Sequence, residues 1–167
     1  MDDTLYQKLL GFALHYVSIR LRSEKEIREY ILKKIRQWGL SQSLGQQILT
    51  RLEELGYVDD LKFSQAFISA RNQFRPKGKF LLVRELKLKG VEEDIIKKAL
   101  DYTLTSLEDA PTQMVLARRA AEKKLRGLTG YSRQECRDKL YSFLLRRGFD
   151  HDTIRNLIDE ISHKGLQ

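Results

Sequence analysis

The sequence has little of what several common protein classes require. Of its 167 residues one is cysteine and two are proline, and its longest uninterrupted run of large apolar residues spans only 80–83. A single cysteine excludes an intramolecular disulfide framework and a cysteine-rich zinc site, and such a short run cannot cross a bilayer. The acidic start at residues 1–4 is unlike a secretory or transit peptide. These features predict a soluble, cytoplasmic, largely helical protein.

Motifs for catalysis or cofactor binding are also missing. The sequence contains neither Gly-x-x-x-x-Gly-Lys-Ser/Thr nor a Gly-x-Gly-x-x-Gly that follows a strand, the two glycine-rich patterns that cradle phosphates. His15, His151 and His163 do not pair at metal-ligand spacing on one helix face, and no base can be assigned to activate Cys136. We therefore predict no enzyme activity, no cofactor and no metal site.

Charge, in contrast, is abundant and uneven. Lys and Arg number 31 against 23 Asp and Glu, for a net charge of +8. Residues 1–60 carry nine side chains of each sign, residues 61–107 carry ten basic and five acidic, and residues 108–167 carry twelve and nine. An acidic partner is therefore expected for the middle and the end of the chain rather than for its start.

Hydrophobic periodicity is helical along nearly the whole chain. An aliphatic stripe that runs from Leu10 to Leu21 in steps of four, three and four predicts a first helix over 5–22. The same periodicity, with Ser and Asp caps and terminal glycines, predicts the helices that follow. They are expected at 24–37, 43–55, 60–74, 79–89, 92–105, 112–126, 133–147 and 151–162.

The helices repeat in groups of three. A capping box, a set of apolar positions and a glycine recur at an offset of 109 residues. The matched pairs are Ser23/Ser132, Glu26/Glu135, Ile27/Cys136, Ile31/Leu140, Ile35/Leu144, Gly39/Gly148 and Leu40/Phe149. A central copy fits 51 residues after the first, where Gly90 matches Gly39. We predict an all-α protein of three tandem three-helix repeats, at 1–58, 59–107 and 108–167, that form an elongated, curved body.

Basic side chains give the strongest indication of function. They cluster around Pro76-Lys77-Gly78, form a stripe along the seventh predicted helix and return in the last turn of the eighth. Stripes on neighbouring repeats are expected to line one electropositive groove. The predicted groove residues are Arg71, Lys77, Arg84, Lys87, Lys89, Arg119, Lys123, Arg126 and Arg147.

Acidic and aromatic residues have simpler explanations. The pair Asp59-Asp60 follows a helix that ends at Gly56, so an N-cap is favoured over a metal-binding or general-base role. Helical spacing assigns three aromatic residues to a core: Phe63, Phe67 and Phe74. Trp38 and Tyr131 are assigned to packing between repeats, with surface stacking as the alternative.

The segment 54–91 resembles the central region of the bacterial RecX regulatory proteins. The resemblance is carried by Glu54-Leu55-Gly56-Tyr57-Val58-Asp59-Asp60, then Phe63, Phe67, Arg71, Lys77-Gly78 and Arg84-Glu85-Leu86-x-x-Lys89-Gly90-Val91. Residues 22–28 and 144–149 resemble the flanking repeats of that family. The motif positions expected to be structural are Gly56, Tyr57, Asp59, Asp60, Phe63, Phe67, Gly90 and Gly148.

This resemblance implies a cytoplasmic modulator of the RecA recombinase that acts in DNA repair, recombination and the SOS response. Such proteins bind RecA filaments along the groove and inhibit strand exchange, ATP hydrolysis and coprotease activity, and some bind DNA. We expect a monomer that binds single- or double-stranded DNA weakly and non-specifically and does not bind membranes. Two alternatives remain, namely a helix-turn-helix-like DNA-binding regulator and a passive helical scaffold for another acidic protein.

Overall fold

A computed structural model describes residues 2–105 and 111–163, and within these ranges all regular structure is helical. The helices are α1 (Asp2–Ser18), α2 (Glu24–Trp38), α3 (Gln42–Glu54), α4 (Asp60–Phe74), α5 (Lys79–Leu88), α6 (Glu93–Thr105), α7 (Gln113–Leu125), α8 (Arg133–Arg146) and α9 (His151–His163). The all-α prediction is confirmed. No helix in the described part of the chain is both long and apolar enough to span a membrane.

Helices α1, α2 and α3 pack against one another around a single core. Each helix contributes one apolar row at helical spacing, so the periodicity that predicted the helices also marks the faces that meet. The core residues are Leu9, Ala13, Val17, Ile27, Ile31, Ile35, Ile48, Leu49 and Leu52. Burial of these rows stabilises helices that would be marginal alone.

Helices α7, α8 and α9 form a second bundle of the same kind. The core residues are Leu116, Ala117, Ala120, Ala121, Leu140, Leu144, Phe149, Ile154, Leu157 and Ile158. Alanines on α7 leave room for Phe149, a ring that follows α8 and is only 1% exposed. Cys136 is buried on α8 at the position where α2 has Ile27, as the repeat predicts.

The predicted capping boxes and glycine stops are present as hydrogen bonds and backbone conformations. Ser23 and Ser132 each form a complete capping box with the glutamate three residues later. Gly39, Gly90 and Gly148 follow the second helix of each predicted triplet at φ of +63°, +82° and +82°. These values lie in the left-handed region that glycine enters without a Cβ penalty. In each case the next residue donates its N–H to the helix, at 3.0, 3.1 and 3.3 Å.

The first helix ends four residues before its predicted end, at Ser18 rather than near residue 22. Ser18 Oγ donates to the His15 carbonyl at 2.9 Å. Ser23 must adopt an extended conformation (φ −71°, ψ 156°) to cap α2, so the chain has to leave the helix before it. Leu21, which the stripe assigned to the helix, is exposed in the connector.

Asp59 and Asp60 each serve the N-terminus of a helix. Asp59 Oδ1 accepts the Lys62 N–H at 2.8 Å at the start of α4, which confirms the predicted cap. Asp60 Oδ1 accepts the N–H of Glu24, the first residue of α2, also at 2.8 Å. Burial raises the pKa of Asp60, and the charges of Glu24, Asp59 and Glu92 raise it further, against the opposing effect of that hydrogen bond.

The remaining family-motif residues also lie at the turn into α4 or on that helix. Gly56 has φ +75° where α3 ends, and the ring of Tyr57 beside it is exposed. On α4, Phe63 is buried and Phe67 is half-buried. The guanidinium of Arg71 lies 4.8 Å from the centre of the Phe67 ring. The motif therefore combines a helix stop, a cap and the first apolar contacts of the next helix.

Contacts between residues divide the chain into two compact units. The first ends at Ala66 and also includes Leu86–Ala99, and the second contains Phe67–Glu85 and the described residues from Leu100 onward. The division falls inside α4, α5 and α6, so the predicted central repeat contributes to both units. The predicted repeat boundary near residue 107 lies outside the described residues, and the three-repeat division stays a prediction.

Candidate cationic cleft

The predicted groove residues of the first unit form ion pairs within the chain. Lys87 Nζ lies 2.7 Å from Glu93 Oε2, and this contact lowers the pKa of the Glu93 carboxyl. Lys89 Nζ lies 2.7 Å from Glu26 Oε1 at the N-terminal turn of α2. These two lysines therefore have carboxylate partners that an external ligand would have to replace.

Two predicted residues of the second unit share one carboxylate. Arg71 Nε lies 3.2 Å from Glu85 Oε2, and Lys77 Nζ contacts the other oxygen of Glu85. Both side chains are at most about one-third exposed. Their arrangement connects the end of α4 and the following connector to α5, which gives them a positioning role.

Three predicted residues of the second unit meet in one cleft. Arg119 and Lys123, one helical turn apart on α7, face Arg147, the residue that caps α8. The cleft has a volume of about 490 Å³. Its full lining is Gln73, Phe74, Arg75, Pro76, Arg119, Ala120, Lys123, Lys124, Phe143 and Arg147. The remaining predicted residues, Arg84 and Arg126, are exposed and lie outside this lining.

Local hydrogen bonds fix the connector that forms one side of the cleft. The Arg147 guanidinium donates to the Pro76 carbonyl at 3.2 Å, and the Gly78 N–H donates to the Arg147 carbonyl at 2.9 Å. The connector and the segment after α8 approach so closely that a Cβ at Gly78 would lie 2.0 Å from the Gly148 carbonyl oxygen. The end of α8 therefore holds the connector in place through both the side chain and the main chain of Arg147.

Phe74 is not a core residue, contrary to the prediction. Its side chain is 76% exposed at the last residue of α4, and it lines the cleft. Helical spacing correctly groups Phe74 with Phe63 and Phe67 on one face of α4. It does not show how far along that face the packing of other elements extends, and Phe74 lies beyond it. A large ring left exposed beside arginines is typical of an interaction surface rather than a core.

The cleft is positively charged and partly aromatic. Its lining includes five cationic side chains and no carboxylate. The Arg147 guanidinium lies 4.9 Å and Lys124 Nζ lies 5.9 Å from the centre of the Phe143 ring. Arg75, Arg119 and Lys123 form no ion pair with the described residues, so their charges are available to carboxylates or phosphates.

The predicted groove residues leave out Phe74, Arg75 and Lys124, which line the cleft. Arg75 belongs to the basic cluster around Pro76-Lys77-Gly78, and Lys124 is next to the predicted Lys123, so the charge of both residues was a usable signal. No group of His, Cys, Asp or Glu in the described residues is arranged to hold a metal ion.

Comparison with known proteins places both sides of the cleft in recognised domains. The second three-helix domain of RecX matches residues 59–100, and the third matches residues 112–158. The regulatory protein RecX of Prosthecochloris aestuarii is 37% identical over 162 residues, which cover 96% of this chain and 98% of that protein. That of Bacillus licheniformis is 34% identical over 152 residues, but this chain spans only 54% of its length.

A solved structure supports the fold. The crystal structure of RecX from Lactobacillus salivarius superimposes with a TM-score of 0.75 at 23% sequence identity, over 95% of this chain and 97% of that one.

Proposed function

The chain belongs to the RecX family of regulatory proteins, and on this premise we propose that it binds RecA recombinase filaments and inhibits them. The inhibited activities are ATP hydrolysis, strand exchange and coprotease action, in DNA repair, recombination and SOS control. The protein acts in the cytoplasm as a monomer, by binding and not by catalysis. The observation that carries the proposal is the cationic cleft, formed within the two matched RecX domains.

The positive charges of the cleft favour contacts with the acidic groups of a filament. Arg119, Lys123 and Arg75 line the cleft and form no ion pair among the described residues, and a nucleoprotein filament offers carboxylates on its protein and phosphates on its DNA. Phe74 supplies exposed apolar area at the same place. We therefore assign Arg119, Lys123 and Arg147 as primary contacts, with Arg84 and Arg126 in the surrounding exposed surface. Contacts of the cleft with DNA alone are weak and non-specific, because they come from charge.

Preorganisation makes such contacts effective. The connector at Pro76 is held by hydrogen bonds to Arg147 and its carbonyl, so little ordering of the cleft is required on binding. Inhibition then follows from differential affinity, because a ligand shifts an equilibrium only by binding one state better than another. We propose that the cleft binds an inactive filament geometry in preference to the ATP-bound one.

The test is an ATPase assay on complexes of recombinase with single-stranded DNA, titrated with the protein. We expect the double variant Arg119→Glu/Lys123→Glu to require roughly tenfold more protein for half inhibition, since about 1.4 kcal/mol corresponds to tenfold. The matched control is Arg133→Glu/Arg155→Glu. It changes the net charge equally, but both positions are exposed and outside the cleft.

The outcomes separate the proposal from its alternatives. Wild-type inhibition by a folded Arg119→Glu/Lys123→Glu variant, or equal loss in the control, contradicts the role of the cleft. Titration with DNA alone across a salt series tests the helix-turn-helix alternative, which requires tight, sequence-specific binding without recombinase. If the protein has no effect on recombinase, the proposal is wrong and the scaffold alternative is favoured.

A further inference from the structure

Helices α1 and α2 each carry a row of aromatic and basic side chains at the edge of the core of the first bundle, and Tyr16 and Trp38 of these rows are partly buried against that core. The members of each row are four residues apart, a spacing that places them on one helix face. The rows are Lys8, Phe12 and Tyr16 on α1, and Tyr30, Lys34 and Trp38 on α2. We call these six residues the aromatic ladder. They lie in the first unit and share no residue with the cationic cleft.

The two rows contact each other in antiparallel order. The rings of Tyr16 and Tyr30 stack with centres 4.0 Å apart and planes 3° from parallel. At the other end, Phe12 meets the Trp38 ring edge-on at 5.4 Å, and Lys8 Nζ lies 5.2 Å from the centre of the Trp38 ring. The ladder is therefore a continuous surface feature and not a set of isolated side chains.

Lys34 occupies the middle of the ladder. Its Nζ lies 4.8 Å from the ring centre of Phe12, 5.7 Å from that of Tyr30 and 5.8 Å from that of Trp38. Lys34 is thus a cation held among three aromatic rings, an arrangement that contributes modestly at a site open to water.

The basic residues of the ladder and its neighbour Arg22 are not neutralised. Lys8, Lys34 and Arg22 form no ion pair in the described part of the chain. The Arg22 guanidinium lies 4.0 Å from the centre of the Tyr16 ring, and its buried Nε has no hydrogen-bond partner. Local positive charge is therefore concentrated here, although residues 1–60 as a whole are balanced.

A ligand that has both anionic and flat aromatic groups would replace the contacts between the lysines and the rings of the ladder. A phosphate draws a lysine away from the ring that it covers, and a base can then stack on that ring. Stacking of a base on an aromatic side chain is stronger than an exposed cation–π contact, so the exchange is favourable. Phe12, which is 39% exposed, already offers part of its ring.

We propose that the aromatic ladder binds single-stranded nucleic acid, with bases stacked on Phe12 and Trp38 and phosphates bound by Lys8, Lys34 and Arg22. A duplex hides its base faces and satisfies only the cations. An acidic peptide likewise supplies charge without rings to stack. The binding is a property of the first unit and does not depend on the proposed recombinase role.

The sequence supplies its own probe, because Trp38 is the only tryptophan. We expect an unlabelled oligo(dT) strand to quench Trp38 fluorescence saturably at low salt, and a duplex of equal length to quench it far less. Phe12→Leu should weaken the binding of labelled oligo(dT), followed by anisotropy, by about fivefold or more. Far-UV circular dichroism checks that the variant is folded.

A pair of adjacent lysines provides the matched control. Lys34→Gln should lower the slope of log affinity against log salt by about 0.7, the loss of one phosphate contact on a single strand. Lys33→Gln removes the same charge from the same helix, at an exposed position outside the ladder, and should leave the slope nearly unchanged. Because Lys34→Gln alters no core residue, it tests the proposal even if Phe12→Leu does not fold.

Several results would overturn the proposal. They are the absence of quenching, equal quenching by duplex, and equal effects of Lys33→Gln and Lys34→Gln. Quenching by polyglutamate as strong as that by oligo(dT) would also overturn it and would indicate an acidic protein partner. No recombinase is present in these assays, so their failure is distinct from failure of the proposed inhibition.

Discussion

At the scale of single residues, Glu26 shows how one side chain serves two purposes. It completes the capping box by accepting the Ser23 N–H at 3.3 Å, and it also pairs with Arg20 at 3.1 Å and Lys89 at 2.7 Å. Burial acts to raise the pKa of its carboxyl. The hydrogen bonds from Arg20, Lys89 and Ser23, with the charge of Arg20, outweigh burial and lower it from 4.5 to about 2.

This lowered pKa predicts a specific loss of stability in acid. A carboxyl whose pKa is lower in the folded state stabilises the fold above its ordinary value, and the contribution disappears as pH falls through the folded value. For Glu26 the window runs from 4.5 down to about 2. We expect Glu26→Gln to lower the urea midpoint at pH 7, and the difference from wild type to shrink across that window.

Glu29→Gln is the comparison for this measurement. Glu29 also lies on α2, but its carboxylate is mostly exposed and lies 3.9 Å from Lys25 Nζ, and exposed pairs of this kind contribute little. Its urea midpoint should stay near that of wild type at every pH. A constant difference between Glu26→Gln and wild type from pH 7 to pH 2 would contradict the assignment.

At the scale of helices, two capping boxes that look alike in sequence have different surroundings. Ser132 is exposed, and among the described residues its hydroxyl bonds only within its own capping box. Ser23 is fully buried, and its hydroxyl also donates to the Lys89 carbonyl after α5, at 2.8 Å. The N-terminus of α2 is thus both capped and attached to another helix end of the first unit.

Alanine at the two serines should therefore have unequal effects. Loss of a cap costs about 1 kcal/mol, which we expect for Ser132→Ala. Ser23→Ala should cost about 2 kcal/mol, because it also removes a buried hydrogen bond worth about 1 kcal/mol. Urea denaturation followed by far-UV circular dichroism measures both changes. Equal costs would mean that the bond from Ser23 to the Lys89 carbonyl contributes nothing.

The comparison of these helices also shows what the sequence could predict. Caps, glycine stops and apolar rows are local, so the positions of the helices from α2 to α9 agree closely with prediction. The end of α1 was predicted wrongly because Leu21 continues the spacing of the stripe, whereas the extended conformation required at Ser23 ends the helix earlier. The partner of the Ser23 hydroxyl, 66 residues away, has no local signal.

At the scale of the whole molecule, the sequence predicts how many basic residues each region carries, but not which of them are held in ion pairs. The basic excess of residues 61–167 identified Arg119, Lys123 and Arg147, which the structure brings together in the cleft. It equally identified Lys87 and Lys89, whose carboxylate partners depend on tertiary contacts. In residues 1–60 the balance of charges concealed the ladder, because the acidic residues there do not neutralise Lys8 or Lys34.

The two surfaces should be separable in one protein. Within the part of the chain that the structure describes they share no residue and no ion-pair partner, and changes at such sites usually combine additively. We expect Arg119→Glu/Lys123→Glu to reduce recombinase inhibition while oligo(dT) still quenches Trp38 with a midpoint within about twofold of wild type. Phe12→Leu should weaken oligo(dT) binding and leave the half-inhibition concentration on preformed filaments within about twofold of wild type.

A third variant combines Phe12→Leu with Arg119→Glu/Lys123→Glu. In each assay its free-energy change should equal the sum of the change caused by Phe12→Leu alone and the change caused by the double substitution alone. If instead the cleft substitutions abolish Trp38 quenching, the chain has one extended nucleic-acid surface, and the cleft contacts the DNA of the filament rather than its protein.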